Sequence, residues 1–349
     1  PISLRGRYYY RSGSTKQELT GASLNEFLLK KSGKTWDDVI EPRAGFDDID
    51  KKAVNTFLKA SENAGRLPEN NGLPIPEFFE KLRLTENGQL KRSAIVLFGK
   101  DPGKFYPNTF VKIGRFGNDD ADLKFQETEE GNLIALLQGV LNQLNHKFLI
   151  KTIEFEGMHR IEKGEYPVAA IREMLLNALV HRNYMGDPIQ IRVYDNKISI
   201  WNEGTLPDGL TLDALKRSHS SRPRNPIIAD VCFKGGYIDA WGRGTIKIID
   251  TCKQADLPEP EMIELDGGFS ITLFKDNISP EKLYKLGLND RQVKAVLILK
   301  EKGKITNKEY QEINETTERT ASRDLSDLVK KGIIKSSGVK GAGSFYTLS

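Results

Sequence analysis

The 349-residue sequence contains little cysteine and no long apolar run. Its two cysteines, Cys232 and Cys252, are too few for a disulfide framework and lack the spacing of a zinc site. No apolar stretch approaches the roughly 18 residues of a membrane span, and no segment resembles a secretory signal. These absences favour a protein of the reducing cytoplasm that has no contact with a membrane.

The charge of the chain is unevenly distributed. The whole sequence has 52 Lys and Arg against 48 Asp and Glu, a net charge of +4. Residues 285–349 hold 13 basic and 8 acidic residues, which is +5, so the remainder sums to about −1. This asymmetry indicates either a polyanionic partner for the C-terminal region or a solvated lysine-rich surface. Because the sequence begins at Pro1 without Met, we expect it to be a fragment.

Three regions follow from the pattern along the chain, at residues 1–150, 151–278 and 279–349. The first is predicted to be α+β, with helices at 23–31, 48–64, 75–83 and about 131–147. Two short strands are expected there, at the apolar run Ser93–Gly99 and at the alternating segment Phe110–Phe116. Residues 21–150 contain no set of chemically reactive residues, so a connecting scaffold or a homodimer surface is the default interpretation.

A predicted helix at 167–183 carries a row of polar residues. Val168, Ile171, Leu175 and Leu179 are expected to share one apolar stripe that faces a core. On the opposite face, one carboxylate, one amide and one imidazole recur at every fourth position: Glu173, Asn177 and His181. Such a row can hold a hydrated Mg²⁺ and place a base that activates water, although an ordinary solvated face gives the same pattern.

Two glycine-containing turns follow this helix. The segment Pro188–Gly204 alternates around Asp195-Asn196, which predicts a hairpin that runs into the turn Asn202-Glu-Gly204. Further on, Gly242-Arg-Gly244 precedes a predicted helix at 246–255. Backbone N–H groups at such a helix start can bind an anion, although many helices begin with an unremarkable glycine turn.

The order of these motifs resembles the Bergerat ATP-binding fold of the GHKL family. The closer resemblance is to the divergent GHKL-like domain called RecG C-terminal-like. It rests on four phrases, at Arg172–Asn183, Ile198–Pro207, Ser221–Pro226 and Gly242–Gly244. Proteins with this domain also have an AlbA-like (Schlafen-like) DNA-binding domain and a winged helix. The resemblance therefore implies a bacterial transcriptional regulator, with residues 1–150 holding the remnant of a truncated AlbA-like domain plus a connector.

The resemblance also implies site residues. Asn177 would coordinate Mg²⁺ against the phosphates of ATP, and Glu173 would be the general base that orients or deprotonates water. Asn202 stands where GHKL ATPases have an aspartate that accepts the adenine amino group, and its amide oxygen can accept the same bond. The full implied nucleotide-binding set is Asn177, His181, Asn202, Gly204, Gly242, Arg243 and Gly244. Arg222 and Arg224, in the loop between the two turns, are further phosphate candidates.

A helicase motor is excluded for this sequence. Such a motor needs the phosphate-binding loop Gly-x-x-x-x-Gly-Lys-Ser/Thr. The nearest segment, Gly99–Lys104, has neither that spacing nor the hydroxyl residue.

The C-terminal region has the pattern of a winged helix-turn-helix. Helices are expected at 289–302, 306–313 and 316–332, followed by strands at 333–335 and 344–348 around a glycine-rich wing. Resemblance to DeoR-like regulators implies that the third helix contacts double-stranded DNA through its first turns and the wing contacts phosphate. The candidate DNA-binding residues are Thr317, Arg319, Thr320, Arg323 and Lys340. Use of the same fold for protein contacts is the alternative.

The sequence thus predicts an α+β multidomain protein. Its parts are an N-terminal α+β region (1–150), a Bergerat/GHKL-like α/β sandwich (151–278) and a winged helix (279–349). The leading functional hypothesis is a DNA-binding transcriptional regulator whose middle domain binds a nucleotide effector, with ATP and Mg²⁺ as the expected ligands. The alternatives are a Mg²⁺-dependent ATPase brought to DNA by the winged helix, and a scaffold without catalytic activity.

Overall fold

The computed structural model divides the chain into two compact units, Pro1–Lys275 and Asp276–Ser349. It describes residues 2–12, 15–67, 72–117, 119–156, 159–207, 209–239, 242–275, 280–338 and 344–348. The division falls close to the expected boundary at 278/279. Residue 150, the other expected boundary, lies inside the larger unit.

Strands and helices alternate irregularly in the larger unit. Its strands are β1 (Ile2–Leu4), β2 (Arg7–Ser12), β3 (Thr15–Leu19), β4 (Thr85–Glu86), β5 (Gln89–Leu90), β6 (Val111–Phe116), β7 (Leu123–Glu129), β8 (Lys151–Glu156), β9 (His159–Gly164), β10 (Ile189–Val193), β11 (Lys197–Glu203), β12 (Glu261–Leu265) and β13 (Gly268–Phe274). Its helices are α1 (Gly21–Lys31), α2 (Lys51–Ala64), α3 (Ile75–Lys81), α4 (Arg92–Phe98), α5 (Leu133–Gln143), α6 (Val168–His181), α7 (Leu212–Leu215), α8 (Pro226–Lys234) and α9 (Gly244–Gln254).

A six-stranded mixed sheet organises this unit. The strand order is β12-β13-β11-β10-β6-β7, with β6 and β10 parallel and the other neighbours antiparallel. Alternate residues of each strand share a face, so Ile113, Ile191, Ile200 and Ile271 form one buried row across four strands. Strands β6 and β7 precede residue 150, whereas the strands beside them follow it. One sheet and one hydrophobic core therefore span the expected boundary.

One prediction about an individual element is wrong, and another holds only in part. Residues 92–98 form helix α4 rather than a strand, and Ser93–Phe98 are all buried. An uninterrupted apolar run has neither the period of a strand nor that of a helix, so its pattern could not distinguish the two. In α6 the expected apolar stripe is buried at Ile171, Leu175 and Leu179 but not at Val168. The helix is buried on most sides, Glu173 included, while Val168 is 52% exposed at its first turn.

The smaller unit has four helices and two strands in its described part. They are α10 (Pro280–Lys285), α11 (Asp290–Lys302), α12 (Asn307–Asn314), α13 (Glu318–Lys330), β14 (Ile334–Ser336) and β15 (Tyr346–Leu348). The two strands pair antiparallel, and the helices enclose a separate core that includes Leu299, Tyr310, Leu325 and Leu328. Among the residues described in both units, no helix has the length and apolar character to cross a membrane.

Candidate functional site

One cavity in the larger unit gathers most of the predicted site residues. Its volume is about 300 Å³, and α6, the end of β11 and the start of α9 contribute to its wall. Seven of the predicted residues line it: Glu173, Asn177, His181, Asn202, Gly204, Gly242 and Gly244. Arg222 and Arg224 also line it. Arg243 is not part of the described lining: it is exposed and occupies the N-cap position of α9.

The polar row of α6 faces this cavity rather than open solvent. Glu173, Asn177 and His181 follow one another at intervals of a little more than one helical turn. The amide nitrogen Nδ2 of Asn177 is buried and has no hydrogen-bond partner among the described residues. Buried polar atoms are almost always paired in proteins. The amide therefore has a free hydrogen-bonding position, which a ligand can use in either orientation of the amide group.

The Glu173 carboxylate is buried in the wall of the cavity, with 5% of the residue exposed. Burial raises its pKa, and the nearby charges of Lys247 and Arg172 oppose that shift. The Lys247 ammonium Nζ lies 3.7 Å from Glu173 Oε2. A carboxylate with a raised pKa accepts a proton more readily, which suits the general-base role implied for this residue. Lys247 was not among the predicted site residues.

His181 supplies a neutral ring to the cavity. Burial is the main reason that its pKa falls to about 4, and Arg224 and His219 add to this effect. At neutral pH the imidazole is therefore uncharged, so it can donate and accept hydrogen bonds but contributes no positive charge toward an anion.

Two glycines allow the start of α9 to approach α6 and the neighbouring loop. A Cβ atom on Gly244 would lie 2.6 Å from Glu173 Oε1 and 3.3 Å from Asn177 Oδ1. Gly242 has φ +63°, and a Cβ atom there would lie 2.0 Å from the carbonyl oxygen of His219. Within the described residues, no side chain caps α9. Its first N–H groups are therefore available to an anion in the cavity.

The end of β11 directs Asn202 inward. Ile198, Ile200 and Asn202 alternate onto the buried face, and Asn202 is 5% exposed. Its Nδ2 donates to the carbonyl oxygen of Glu203 at 3.2 Å, which orients the amide. The strand then turns at Gly204, whose φ is +118° and whose missing Cβ would lie 3.0 Å from Arg224 Nε.

The first 150 residues support the cavity, a role that their sequence does not indicate. Thr35 lines it. The buried Asp37 accepts the N–H groups of Ile227 and Ile228 at the start of α8. After α2, Arg66 donates to the carbonyl oxygens of Phe233 and Ile238 and pairs with Asp239, just before the turn that contains Gly242. These partners lie more than 160 residues apart in sequence, so no local pattern could reveal them.

No cluster of three or more His, Cys, Asp or Glu side chains in the described residues could hold a metal ion. A divalent cation at this cavity would therefore need the Asn177 amide together with oxygen atoms of a ligand. Mg²⁺ is commonly held in this way, by few protein groups plus substrate phosphates.

Comparisons with known proteins agree with part of the predicted assignment. Residues 186–273 match the family model described as "Putative ATP-dependent DNA helicase recG C-terminal", so this segment is similar to an ATPase-type domain. The match includes Asn202, Gly204 and Gly242–Gly244, whereas the row on α6 precedes it. The AlbA-like assignment stays a prediction. No curated protein matches the chain.

A solved structure shares the fold. It is the crystal structure of the DIP2311 protein from Corynebacterium diphtheriae, at 18% identity and a TM-score of 0.57. The similarity covers 99% of the present chain and 70% of that protein. At this level of identity the comparison shows the fold alone.

In the smaller unit, the candidate DNA-binding residues lie at the start of α13. Thr317, Arg319 and Arg323 are exposed, and Thr320 is half-buried. Thr317 caps the helix, because its hydroxyl accepts the N–H of Thr320. Lys340 lies outside the described residues.

An ion pair and a hydrogen bond to the buried Asp324 carboxylate hold α13 against the other helices of its unit. The Asp324 carboxylate accepts from Arg291 Nε at 2.9 Å and from the Tyr310 hydroxyl at 3.1 Å. These contacts join α13 to α11 and α12 and leave the side chains of its first turns directed outward.

Proposed function

We propose that the cavity of the larger unit binds a nucleoside triphosphate with Mg²⁺ and that the protein is a nucleotide-responsive, DNA-binding transcriptional regulator. The observation that carries the nucleotide part is the unpaired, buried amide of Asn177. It lies next to the uncapped start of α9, in a chain whose residues 186–273 match an ATPase-type family model.

The residues around the cavity fit such a ligand. Asn177 would hold Mg²⁺ together with phosphate oxygens, and the N–H groups at Gly244 would bind phosphate. The Asn202 amide would recognise the base, within an apolar part of the wall that includes Ile200 and Phe269. When bound, the cation would neutralise phosphate charge and polarise the terminal phosphate.

The DNA-binding part of the proposal is carried by the smaller unit. Its three helices α11–α13 and the strand pair β14–β15 occur in the order of a winged helix-turn-helix. In that arrangement α13 would enter the major groove, with Arg319 and Arg323 at base edges or phosphates and Lys340 on the wing at phosphate. The unit's net positive charge favours a polyanionic partner.

A second candidate function is ATP hydrolysis. It is favoured by one observation: Glu173, a buried carboxylate whose pKa is raised, lines the cavity together with Asn177 and pairs with Lys247. If the chain is an ATPase, Glu173→Gln should remove turnover while nucleotide binding remains. If it is only a nucleotide sensor, both the unchanged protein and the variant should lack turnover.

The experiment that tests the proposed function is calorimetric titration of the full chain with Mg-ATP. We expect binding by the unchanged protein and its loss in Asn177→Ala. Asn142→Ala is the matched control, because Asn142 is an exposed helical asparagine on α5, outside the cavity lining. No binding by the unchanged protein at millimolar Mg-ATP would contradict the proposal. Equal Mg-ATP affinities of Asn177→Ala and Asn142→Ala would contradict it too.

A further inference from the structure

Lys247 pairs with a residue of the cavity wall, although it does not itself belong to the described lining. It follows Gly244 by three positions on α9, so the two residues share one face of the helix. Its Nζ atom lies 3.7 Å from Glu173 Oε2, across the α6–α9 contact. The two partners differ in their surroundings, because the Lys247 side chain is 47% exposed whereas that of Glu173 is 6% exposed.

This difference determines which partner can move. The Glu173 carboxylate is fixed in the protein wall, whereas the Lys247 ammonium ends a flexible, half-exposed side chain. An N···O distance of 3.7 Å is long for a charge-assisted hydrogen bond, so the half-exposed Lys247 ammonium can turn toward a second anion that lies beside Glu173.

Charge balance at the Glu173 end of the cavity favours a protein cation in addition to Mg²⁺, because Mg-ATP still carries a net negative charge. A terminal phosphate next to Gly244 and Asn177 would place further negative charge beside the Glu173 carboxylate. Two neighbouring anions repel each other unless a positive charge lies near both. Lys247 already lies within ion-pairing distance of one of them.

We infer that Lys247 is the residue that distinguishes a nucleoside triphosphate from a diphosphate, by moving its ammonium from Glu173 to the terminal phosphate. This inference rests on the proposed nucleotide site. It assigns Lys247 a role in specificity. The polar row on α6 and the glycine turns cannot have this role alone, because they would also bind the two phosphates of a diphosphate.

The test compares the affinities of Mg-ATP and Mg-ADP, measured by calorimetry on the full chain. We expect Lys247→Met to weaken Mg-ATP binding by about tenfold or more, the size of one charge-assisted contact, and to leave Mg-ADP binding nearly unchanged. Lys247→Arg should retain the preference for triphosphate. Lys253→Met is the matched control, since Lys253 is an exposed lysine of the same helix.

The outcomes separate this inference from the proposed function. If Lys247→Met weakens Mg-ATP and Mg-ADP binding equally, Lys247 is not the residue that distinguishes them. The same conclusion follows if it weakens neither, and in both cases the nucleotide site stands. If the unchanged protein binds neither nucleotide, the site itself is refuted and the role of Lys247 with it. A fall in thermal stability that accompanies an equal loss for both ligands would identify a structural role alone.

Discussion

The candidate sites of the two units are assembled in opposite ways. The cavity of the larger unit takes its lining from residues as far apart as Thr35 and Ile271. In the smaller unit, Thr317, Arg319, Thr320 and Arg323 lie within two turns of one helix. A site of the first kind exists only when the whole unit is folded, whereas one of the second kind needs a single helix held at the right angle.

The two sites also differ in how protein surroundings alter their chemistry. In the cavity, burial raises the pKa of Glu173 and lowers that of His181 to about 4. On α13 the two arginines are exposed, and Arg323 Nε lies 3.7 Å from Asp324 Oδ1. The larger unit can therefore adjust reactivity, and the smaller unit offers attraction to an anionic partner.

The largest effect that would sharpen the contrast between the two units is the loss of stability that we expect from Gly242→Ala. A Cβ atom would meet the backbone oxygen of His219 at 2.0 Å in a left-handed conformation, which should cost the larger unit about 3 kcal/mol. All three tryptophans, at positions 36, 201 and 241, lie in the larger unit, so tryptophan fluorescence during heating reports that unit alone.

Gly267→Ala is the matched control for Gly242→Ala. Gly267 has φ +71° and open space around it, so its replacement should cost only about 1 kcal/mol. DNA affinity should be the same in both variants. An equal loss of stability in the two would show that the contact with His219 is unimportant.

The next largest effect concerns the smaller unit alone. Arg319→Ala and Arg323→Ala should each weaken binding to labelled duplex DNA by about 1–3 kcal/mol where the side chain contacts a base. Fluorescence anisotropy measures this, with Lys300→Ala as a control that removes one exposed charge from α11. Affinities that do not differ between the arginine variants and this control would argue against DNA recognition by α13.

A smaller effect tests whether the first 150 residues support the cavity. Arg66→Met removes the bonds to Phe233, Ile238 and Asp239 and should lower stability by about 1–2 kcal/mol. Mg-ATP affinity should fall with it, because these bonds hold the segment that leads to Gly242. Lys59→Met, an exposed change on α2, should alter neither quantity.

The smallest expected effect is a change in how stability depends on pH. Burial raises the pKa of Glu173, so the folded protein holds this proton more tightly than the unfolded chain does. The resulting stability is present at low pH and is lost as the pH rises through the folded-state pKa. Glu173→Gln lacks this loss, so its melting temperature relative to the unchanged protein should rise with pH. The exposed Glu62→Gln should show no such trend.

Sequence patterns were sufficient to predict most of the individual helices and strands. The hairpin β10–β11, with its turn at Asp195-Asn196, follows from strict alternation, and the helices of the smaller unit lie close to the expected positions. The match to an ATPase-type family agrees with the resemblance stated for the middle of the chain. The winged-helix assignment and the DNA partner stay predictions.

What the sequence could not provide is the set of long-range contacts. The apolar run at 92–98 gave no period, so a fully buried helix was mistaken for a strand. Asp37, Arg66 and Lys247 carry no motif, and each becomes part of the site only through a partner distant in sequence. The burial of Glu173 likewise depends on a distant partner, because α9 packs against the polar row of α6.

The parallel pairing of β6 with β10 has a consequence for how far the chain can be shortened. The segment that matches the ATPase-type family begins at residue 186, yet β10 takes its parallel neighbour from residues 111–116. A shortened chain that starts near residue 150 would leave the backbone N–H and C=O groups along one side of β10 without their neighbour, an open edge prone to aggregation. The part of the chain that this sheet needs in order to fold is therefore longer than the segment that matches the family model.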